Sequence, residues 1–390
     1  MMGIAILGST GSIGVSTLEV VERHPDRFRV VALAANRSVD ALAAQVARHT
    51  PLLAVIVQEE IPAGQVGSPE TRWARGQEAL LELVDHPDVD VVVNALVGAV
   101  GLEPTLQTLH AGKRLAVANK ESLVAGGPLV IEAAKSPGAE LVPIDSEHSA
   151  ILQCMQGYDR ESVARVVLTA SGGPFRGWTP EALREVKPSD ALQHPTWSMG
   201  AKITVDSATL ANKALEVIEA HFLYGLEYGD IEVVVHPQSI IHSFVEFVDG
   251  SVLAQVGFPT MEIPILYALS YPDRVGDESL RTFDAVRSSP LTFEDVDRSV
   301  FTLFSLGVSA GKEGGTAPAV FNASNEIAVE AFLGDLIRFT EMGEVVGGTL
   351  DRVPVTPVKR VEDVLNADSE ARRIAREIVA IRSDGVLSPT

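Results

Sequence analysis

An apolar strand that runs straight into a glycine-spaced turn, and then into a helix, constrains this chain before any other feature does. Gly3-Ile4-Ala5-Ile6-Leu7 leads without a break into Gly8-Ser9-Thr10-Gly11-Ser12-Ile13-Gly14, after which Val15, Leu18 and Val21 keep helical spacing. Glycines at such a turn let the backbone approach a pyrophosphate, whose charge the helix N-terminus stabilises. The spacing is G-x-x-G-x-x-G rather than the commoner G-x-G-x-x-G, so the strand–turn–helix context carries the reading of a dinucleotide cradle. Alternation then continues, with strands at 29–34, 53–57, 90–94, 114–118 and 141–142 and helices at 77–84, 103–110 and 127–135. This order predicts an α/β fold with a parallel, doubly wound sheet that binds ligands at the carboxyl ends of its strands.

Those strand ends carry polar residues. After the second strand, Ala35-Asn36-Arg37-Ser38 offers a cation where NAD binders commonly place an acid. Arg37 suits a 2′-phosphate, which favours NADP; an ordinary surface arginine has the same signature. Two further clusters are Asn119-Lys120-Glu121 and Asp145-Ser146-Glu147. In an extended chain Asp145 and Glu147 share a face, with Ser146 opposite unless the backbone turns there. Two such carboxylates repel unless a cation or proton shares them, or they line a solvated turn.

Further on, a β-branched strand at 163–169 ends in Ser171-Gly172-Gly173-Pro174, a turn that can bare amides to an anion. Residues 174–200 are rich in proline and polar residues, with Trp178, His194, Trp197 and Met199 among them. They read equally as a lid that closes on a ligand and as a loop pinned by its tryptophans. From Asp206, read as an N-cap, helical spacing runs to about Leu223. Leu210, Ala214, Val217 and His221 fall on one stripe, with Asn212, Lys213 and Glu216 facing away, as on any amphipathic helix. In the functional reading Ser207 lies at the anion-attracting helix start, Asn212 and Lys213 reach the same ligand, and Glu216 joins Asp145 and Glu147. Three oxygen donors without cysteine suit a hard divalent cation, Mg²⁺ or Mn²⁺. His236 and His242 lie in an alternating segment, 232–258, without the context of a zinc site.

Bulk properties narrow the class. At 390 residues the chain suggests two or three domains. Its net charge of −21 argues against a general nucleic-acid or anionic-membrane surface, so an anion must be bound locally. No apolar run is long enough to span a bilayer, and the N-terminus lacks the pattern of a signal peptide. The single Cys154 fits a reducing cytoplasm.

Seven stretches resemble the 1-deoxy-D-xylulose 5-phosphate reductoisomerase family: GSTGSIG (8–14), VANKESLV (117–124), PIDSEHSAI (143–151), TASGGPFR (169–176), HPTWSMGAKITVDSATLANKALE (194–216), HPQSIIHSFVEFVDGSVLAQ (236–255) and NASNEIAVEAFL (322–333). Departures are Ala214, where glycine is usual, and Pro259-Thr260-Met261-Glu262 in place of P-D-M-R. The first should affect helix packing rather than chemistry. The resemblance implies NADPH- and metal-dependent conversion of 1-deoxy-D-xylulose 5-phosphate to 2-C-methyl-D-erythritol 4-phosphate in non-mevalonate isoprenoid synthesis. It implies Asp145, Glu147 and Glu216 as metal ligands. Ser171, Ser207, Asn212 and Lys213 fall in the substrate set, mostly around its phosphate. His194 joins them, with Trp197 and Met199 covering the substrate. Ser146 and Lys120 touch its reacting end. Thr10, Gly11, Ser12, Ile13, Asn36, Arg37, Asn119, Lys120, Glu121 and Gly200 form the NADPH set. His242 lies near the site in a less defined role.

The expected organisation is a Rossmann-like NADPH domain at 1–145 and a central α+β catalytic domain at 146–276 with its lid at 174–200. A linker at 277–298 and a helical bundle at 299–390 follow. In the bundle, helices are expected at 300–309, from Thr316 as cap to 333, at 341–350, and from 368 to 382. The resemblance implies a homodimer through the middle domain. Another NADP-dependent dehydrogenase of a small phosphorylated metabolite, or a non-catalytic NADP sensor, are the competing functions; a semialdehyde dehydrogenase would need a catalytic cysteine, for which Cys154 has no nucleophile context, and a sensor needs no carboxylate triad.

Overall fold

A computed structural model describes residues 1–61, 68–197, 199–280 and 283–386, with side chains as far as Arg382. Ser198 of the expected lid, residues 281–282 of the expected linker and residues 387–390 lie outside the described residues. In chain order the elements are β1 (Met2–Leu7), α1 (Ser12–Arg23), β2 (Phe28–Ala35), α2 (Val39–His49), β3 (Leu53–Ile56), β4 (Arg72–Arg75), α3 (Gln77–Asp85), β5 (Val91–Asn94), α4 (Leu102–His110), β6 (Arg114–Val117), α5 (Lys120–Ala133), β7 (Glu140–Pro143) and α6 (Ser146–Met155). There follow β8 (Val163–Ala170), α7 (Pro188–Ala191), α8 (Ala201–Ala208), α9 (Ala211–Tyr224), β9 (Ile231–Val235), β10 (Ile241–Phe247), β11 (Val252–Val256), α10 (Glu262–Ser270), β12 (Glu294–Asp295), α11 (Thr302–Glu313), α12 (Ala317–Leu333), α13 (Met342–Leu350) and α14 (Val361–Val386). No helix among the described residues is long and apolar enough to cross a membrane.

The chain divides into two compact units, the first formed by Met1–Ser122, Leu129–Ser149 and Thr260–Arg281. Its seven strands, in the order β4-β3-β2-β1-β5-β6-β7, are all parallel. A parallel sheet is covered on both faces, so its inner strands are largely apolar; Ile4 to Leu7 and Val91 to Val93 are fully buried. The order reverses between β1 and β5, the switch point where such sheets open a crevice beyond the strand ends. Helix α10 packs against α1, β6 and β7. There Arg114 Nη1 donates to the Leu269 carbonyl at 2.9 Å, and Arg23 reaches Glu262 at 2.5 Å and Asp277 at 2.8 Å. Glu262, of the Pro259–Glu262 stretch noted above, thus pairs with an arginine on α1.

The second unit comprises Leu123–Pro128, Ala150–Pro259 and Thr282–Thr390. Its five-stranded sheet has the order β11-β10-β8-β9-β12, parallel only between β8 and β9. Leu168, Val245, Leu215, Ile218, Phe304 and Phe321 share one buried core between sheet and helices. Ala214 stands where α9 meets α11: a Cβ on Gly307 would lie 2.6 Å from the Ala214 methyl. Ala214 thus lies in the contact between these two helices.

Several expectations need correction. Helix α2 and strand β4 were not expected. β4 is a short edge strand, Arg-Trp-Ala-Arg, with no apolar run to announce it. Helix α5 begins at Lys120 rather than 127, because the Asn119 side chain caps it by accepting from Ser122 N at 3.0 Å. The 145–147 stretch is not extended: α6 starts at Ser146, and Ser149 N donates to the Asp145 carbonyl at 2.7 Å, so Asp145 takes the cap position. The helix expected over 206–223 is two, α8 and α9, broken at Leu210 with a left-handed φ of 56°. Asp206 therefore lies inside α8 instead of capping a helix. Helices α11 and α14 start later and earlier than expected, at Thr302 and Val361. Thr316 precedes α12 but caps nothing with its hydroxyl, which accepts from Thr356 N at 3.0 Å.

Candidate functional site

In the first unit the glycine turn is built so that no side chain fits inside it. Gly8 has φ of 84°, and a Cβ there would lie 2.5 Å from the Ala95 carbonyl oxygen. A Cβ on Gly14 would lie 2.4 Å from the Gly8 carbonyl oxygen and 2.5 Å from Ser9 Cα. Ser9 is fully buried, its hydroxyl donating to Gln45 Oε1 at 2.7 Å while Gln45 Nε2 donates to the Ser9 carbonyl at 2.8 Å. The turn is thereby fixed to α2. Thr10, Gly11, Ser12 and Ile13 stay half-buried or exposed at the start of α1, which has no side-chain cap and no acid in its first turn. Its first N–H groups are available to an anion. A pyrophosphate fits this cradle.

Asn36 and Arg37 are exposed beyond the end of β2. Arg37 Nε donates to Gln58 Oε1 at 2.7 Å, a residue beyond the end of the adjacent β3. Gln58 was not singled out from sequence; a polar residue just after a neighbouring parallel strand was the available signal. Beyond β6, Asn119 is buried and also donates to the Leu96 carbonyl at 2.9 Å and to Glu121 Oε2 at 2.9 Å. Lys120 and Glu121 are buried too, and Lys120 Nζ donates to Asp145 Oδ2. The Ser146 hydroxyl donates to Glu147 Oε2 at 2.5 Å. This unit thus brings Lys120, Asp145, Ser146 and Glu147 to the ends of β6 and β7, on the starts of α5 and α6.

In the second unit Ser171, His194 and Ser207 converge. His194 Nε2 lies 2.9 Å from Ser171 Oγ and 3.1 Å from Ser207 Oγ. The backbone N–H groups of Thr196 and Trp197 donate to His194 Nδ1 at 3.1 and 2.9 Å, so the neutral ring carries its proton on Nε2. Burial pushes the His194 imidazole below its ordinary value, in keeping with that neutral form. Because Nε2–H serves as donor to the two hydroxyl oxygens, both serine O–H groups are left to donate to a third acceptor. Gly173 N also donates to Ser171 Oγ at 3.2 Å, and Gly172 and Gly173 adopt φ of 84° and 63°. Such a set of donors suits a phosphate.

Just beyond the α8–α9 break, Asn212 Nδ2 donates to Glu216 Oε1 at 2.5 Å and Lys213 Nζ to Glu216 Oε2. Lys213 and Glu216 are both buried, so they do not form the solvated face that the helical wheel allows. Asn212 Oδ1 is buried with no partner among the described residues. An acceptor in that state calls for a donor or a cation from outside the chain.

Residues 174–200 divide in their anchoring. Phe175, Leu183, Val186 and Ala191 are in the core, with Phe175 stacked edge-on against Phe339 at 5.0 Å. Trp178 is exposed, so the first part of the loop is held by aliphatic residues and Phe175 rather than by its tryptophans. Trp197 and Met199 are half-buried and Gly200 is exposed. His236 is structural: its Nδ1 lies 2.9 Å from the Thr292 carbonyl and its Nε2 accepts from Ile240 N at 3.1 Å. His242 is buried on β10.

Comparison with known proteins covers nearly the whole chain. Three family models match in succession: "1-deoxy-D-xylulose 5-phosphate reductoisomerase" over residues 4–127, its C-terminal domain over 141–224, and a second "DXP reductoisomerase C-terminal domain" over 256–374. The 1-deoxy-D-xylulose 5-phosphate reductoisomerase of Ralstonia nicotianae is 51% identical over 97% of this chain and 98% of its own. A solved structure of the Zymomonas mobilis enzyme in complex with NADPH superposes with a TM-score of 0.89 at 41% identity, covering 97% of this chain and 99% of that one. A structure of DOX-P reductoisomerase in complex with NADPH, fosmidomycin and magnesium superposes with a TM-score of 0.90 at 38% identity, covering 98% and 99%.

Proposed function

The chain belongs to the 1-deoxy-D-xylulose 5-phosphate reductoisomerase family, and from that premise we propose how its residues divide the work. It is an NADP-dependent oxidoreductase that takes NADPH and a divalent cation. It converts 1-deoxy-D-xylulose 5-phosphate to 2-C-methyl-D-erythritol 4-phosphate for isoprenoid synthesis. The observation that carries this is the match to named relatives from one end of the chain almost to the other.

Asp145, Glu147 and Glu216 would hold the cation, Mg²⁺ or Mn²⁺; an all-carboxylate donor set without cysteine is the chemistry such hard ions take. When bound, the cation polarises the substrate carbonyl and makes adjacent hydroxyls more acidic, and NADPH supplies the hydride. Gly11, Ser12 and Ile13, with Thr10, cradle the pyrophosphate at the start of α1. Asn36 and Arg37 take the ribose 2′-phosphate, with Arg37 steadied by Gln58. Asn119, Lys120, Glu121 and Gly200 complete the cofactor contacts. Ser171 and Ser207 grip the substrate phosphate through their O–H groups, His194 orienting both hydroxyls, and Lys213 adds charge. The partnerless Asn212 Oδ1 takes a substrate hydroxyl. Anchoring the unreactive end lets binding energy orient the reactive one. There, by either a retro-aldol and aldol sequence or an α-ketol shift, a proton leaves one hydroxyl and another reaches a carbonyl oxygen. The Lys120 ammonium and the Ser146 hydroxyl would hold and relay those protons. Trp197 and Met199, in the lid at 174–200, cover the substrate and exclude water.

The test is NADPH oxidation on addition of 1-deoxy-D-xylulose 5-phosphate, with Mg²⁺ or Mn²⁺ and again with a chelator. Oxidation only when metal is present is the expected result; none, or oxidation indifferent to chelator, overturns the reading.

The same proposal includes a homodimer in the cytoplasm. Edge strand β11 supports the first: Val252, Leu253 and Val256 are exposed along it, with Val248 in the preceding turn, and an apolar open edge invites a partner. The lone Cys154 supports the second. Light scattering at the mass of one 41.5 kDa chain would remove the dimer.

A further inference from the structure

The stretch NASNEIAVEAFL on α12 has no part in the chemistry above, yet one of its residues bonds the residue that precedes Ser207. Asn325 is fully buried, and its Nδ2 donates to Asp206 Oδ1 at 2.7 Å across 119 residues of chain. Asp206, 1% exposed, sits in the last turns of α8 immediately before Ser207, and its other oxygen, Oδ2, meets Lys202 Nζ at 2.9 Å. Lys202 lies four residues earlier on the same short helix. That pair lies within α8 and compensates the charge of a buried carboxylate. The Asn325 contact ties the same carboxylate to α12, a 17-residue helix buried along most of its length. The Asn325 Oδ1 has no partner among the described residues, so the bond to Asp206 is what accounts for an amide buried there.

What lies downstream of Asp206 makes its placement matter. Ser207 Oγ is 3.1 Å from His194 Nε2, and the left-handed residue Leu210 then turns the chain into α9, which presents Asn212 and Lys213. A carbonyl oxygen of Ser207 also closes on the backbone of Gly173, where a Cβ would lie 2.7 Å from it. Small rotations of α8 therefore move the serine hydroxyl, the histidine contact and the glycine turn together.

We propose that Asn325 is a positioning residue for the phosphate pocket, acting through Asp206 to hold the end of α8 and with it Ser207. The helical region after residue 299 then does more than cover the core: it sets the geometry of substrate binding. The inference rests on reading Ser171, His194 and Ser207 as the phosphate anchor.

The test uses the full chain. Asn325→Ala removes the tie but leaves Lys202 to hold the Asp206 charge. Misplacing a binding group by a fraction of an ångström to an ångström costs one to two decades, so the substrate KM should rise about tenfold, with kcat within about twofold of wild type. NADPH affinity should not change. The paired exchange Asp206→Asn with Asn325→Asp keeps one carboxylate and one amide across the contact, and should bring KM back to within about threefold of wild type. An Asn325→Ala chain with the wild-type KM overturns the proposal whatever its melting temperature, as does a paired exchange that folds and restores nothing. Should the alanine chain not fold, Asn325→Ser decides by the same KM criterion. A wild type that never oxidises NADPH with this substrate defeats the functional reading, and this inference with it; an active wild type beside an unaltered variant defeats this inference alone.

Discussion

Two glycines of the first turn, Gly11 and Gly14, should respond to the same substitution in different ways. At Gly14 a new methyl group would lie 2.4 Å from the Gly8 carbonyl oxygen and 2.5 Å from Ser9 Cα. Carbon atoms make ordinary contact from about 3.4 Å, so backbone on one side must retreat by about 1 Å. Overpacking of this kind costs about 1–3 kcal/mol. Over a unit of this size that lowers the melting temperature by roughly 2–12 °C. Because the displaced atoms form the pyrophosphate turn, the same energy appears as an NADPH affinity weakened by about 5- to 150-fold. At Gly11 the φ is −80° and the nearest atom to a new methyl is the Gly8 carbonyl oxygen at 3.4 Å, an ordinary contact. Gly11→Ala should therefore leave the melting temperature unchanged, yet weaken NADPH, because its methyl stands on the open side where the pyrophosphate approaches. Thermal unfolding and a fluorescence titration with NADPH on both variants read the two quantities separately. A Gly14→Ala chain that melts like wild type refutes the steric argument. A Gly11→Ala chain that binds NADPH like wild type removes the pyrophosphate from this turn.

Asp145→Asn, Glu147→Gln and Glu216→Gln should each cut turnover by about a hundredfold or more while NADPH titrations stay near wild type; normal turnover in any one removes that residue from the cation site. Arg37→Ala should lower the preference for NADPH over NADH by about 10- to 100-fold, the worth of a charge-assisted phosphate contact, and an unchanged ratio of kcat/KM values sinks the assignment. Asp277 gives an acid-side signature. Burial opposes its ionisation, but donors from Ser279 and Arg23 and the arginine charge prevail and hold its carboxyl at about 2. A carboxyl held below its unfolded value, near 3.8, contributes stability that is complete above that value and is lost as pH falls through about 2. Asp277→Asn should flatten the melting temperature between those limits, and an unaltered profile would show that the Arg23 pairing does not stabilise the fold.

The parts of the molecule that sequence made legible are those whose signal is local. β1, β2, β3, β5, β6 and β7 are apolar runs because both sheet faces are covered, and the turn at Gly8 follows from residue types that only a positive φ or a close approach requires. α2 was missed although Leu42 and Val46 repeat at helical spacing, whereas β4 offered no such repeat. The start of α6 at Ser146 was hidden because the acids on either side of that serine drew a strand reading. The break at Leu210 could not be read, since apolar spacing continues smoothly across it while the backbone turns left-handed. For the same reason helical spacing alone left Lys213 and Glu216 open between a solvated face and a site: periodicity reports which residues share a side, not what covers it. The Arg37–Gln58 pair joins the ends of consecutive strands and left a faint signal, whereas the Asp206–Asn325 contact spans 119 residues, and spacing says nothing of it.

The first compact unit closes late in synthesis. Its sheet is complete at Pro143, but α10, which takes a hydrogen bond from Arg114 and an ion pair from Arg23, is encoded more than a hundred residues further on. At about 5–20 residues per second a ribosome needs roughly 6–24 s to make the intervening chain. During that interval the nascent sheet shows water the surface that α10 later covers. Cutting the gene after residue 149 to obtain a free-standing nucleotide-binding module would make that interim state permanent, so a usable fragment must carry residues 260–280 grafted back onto its end.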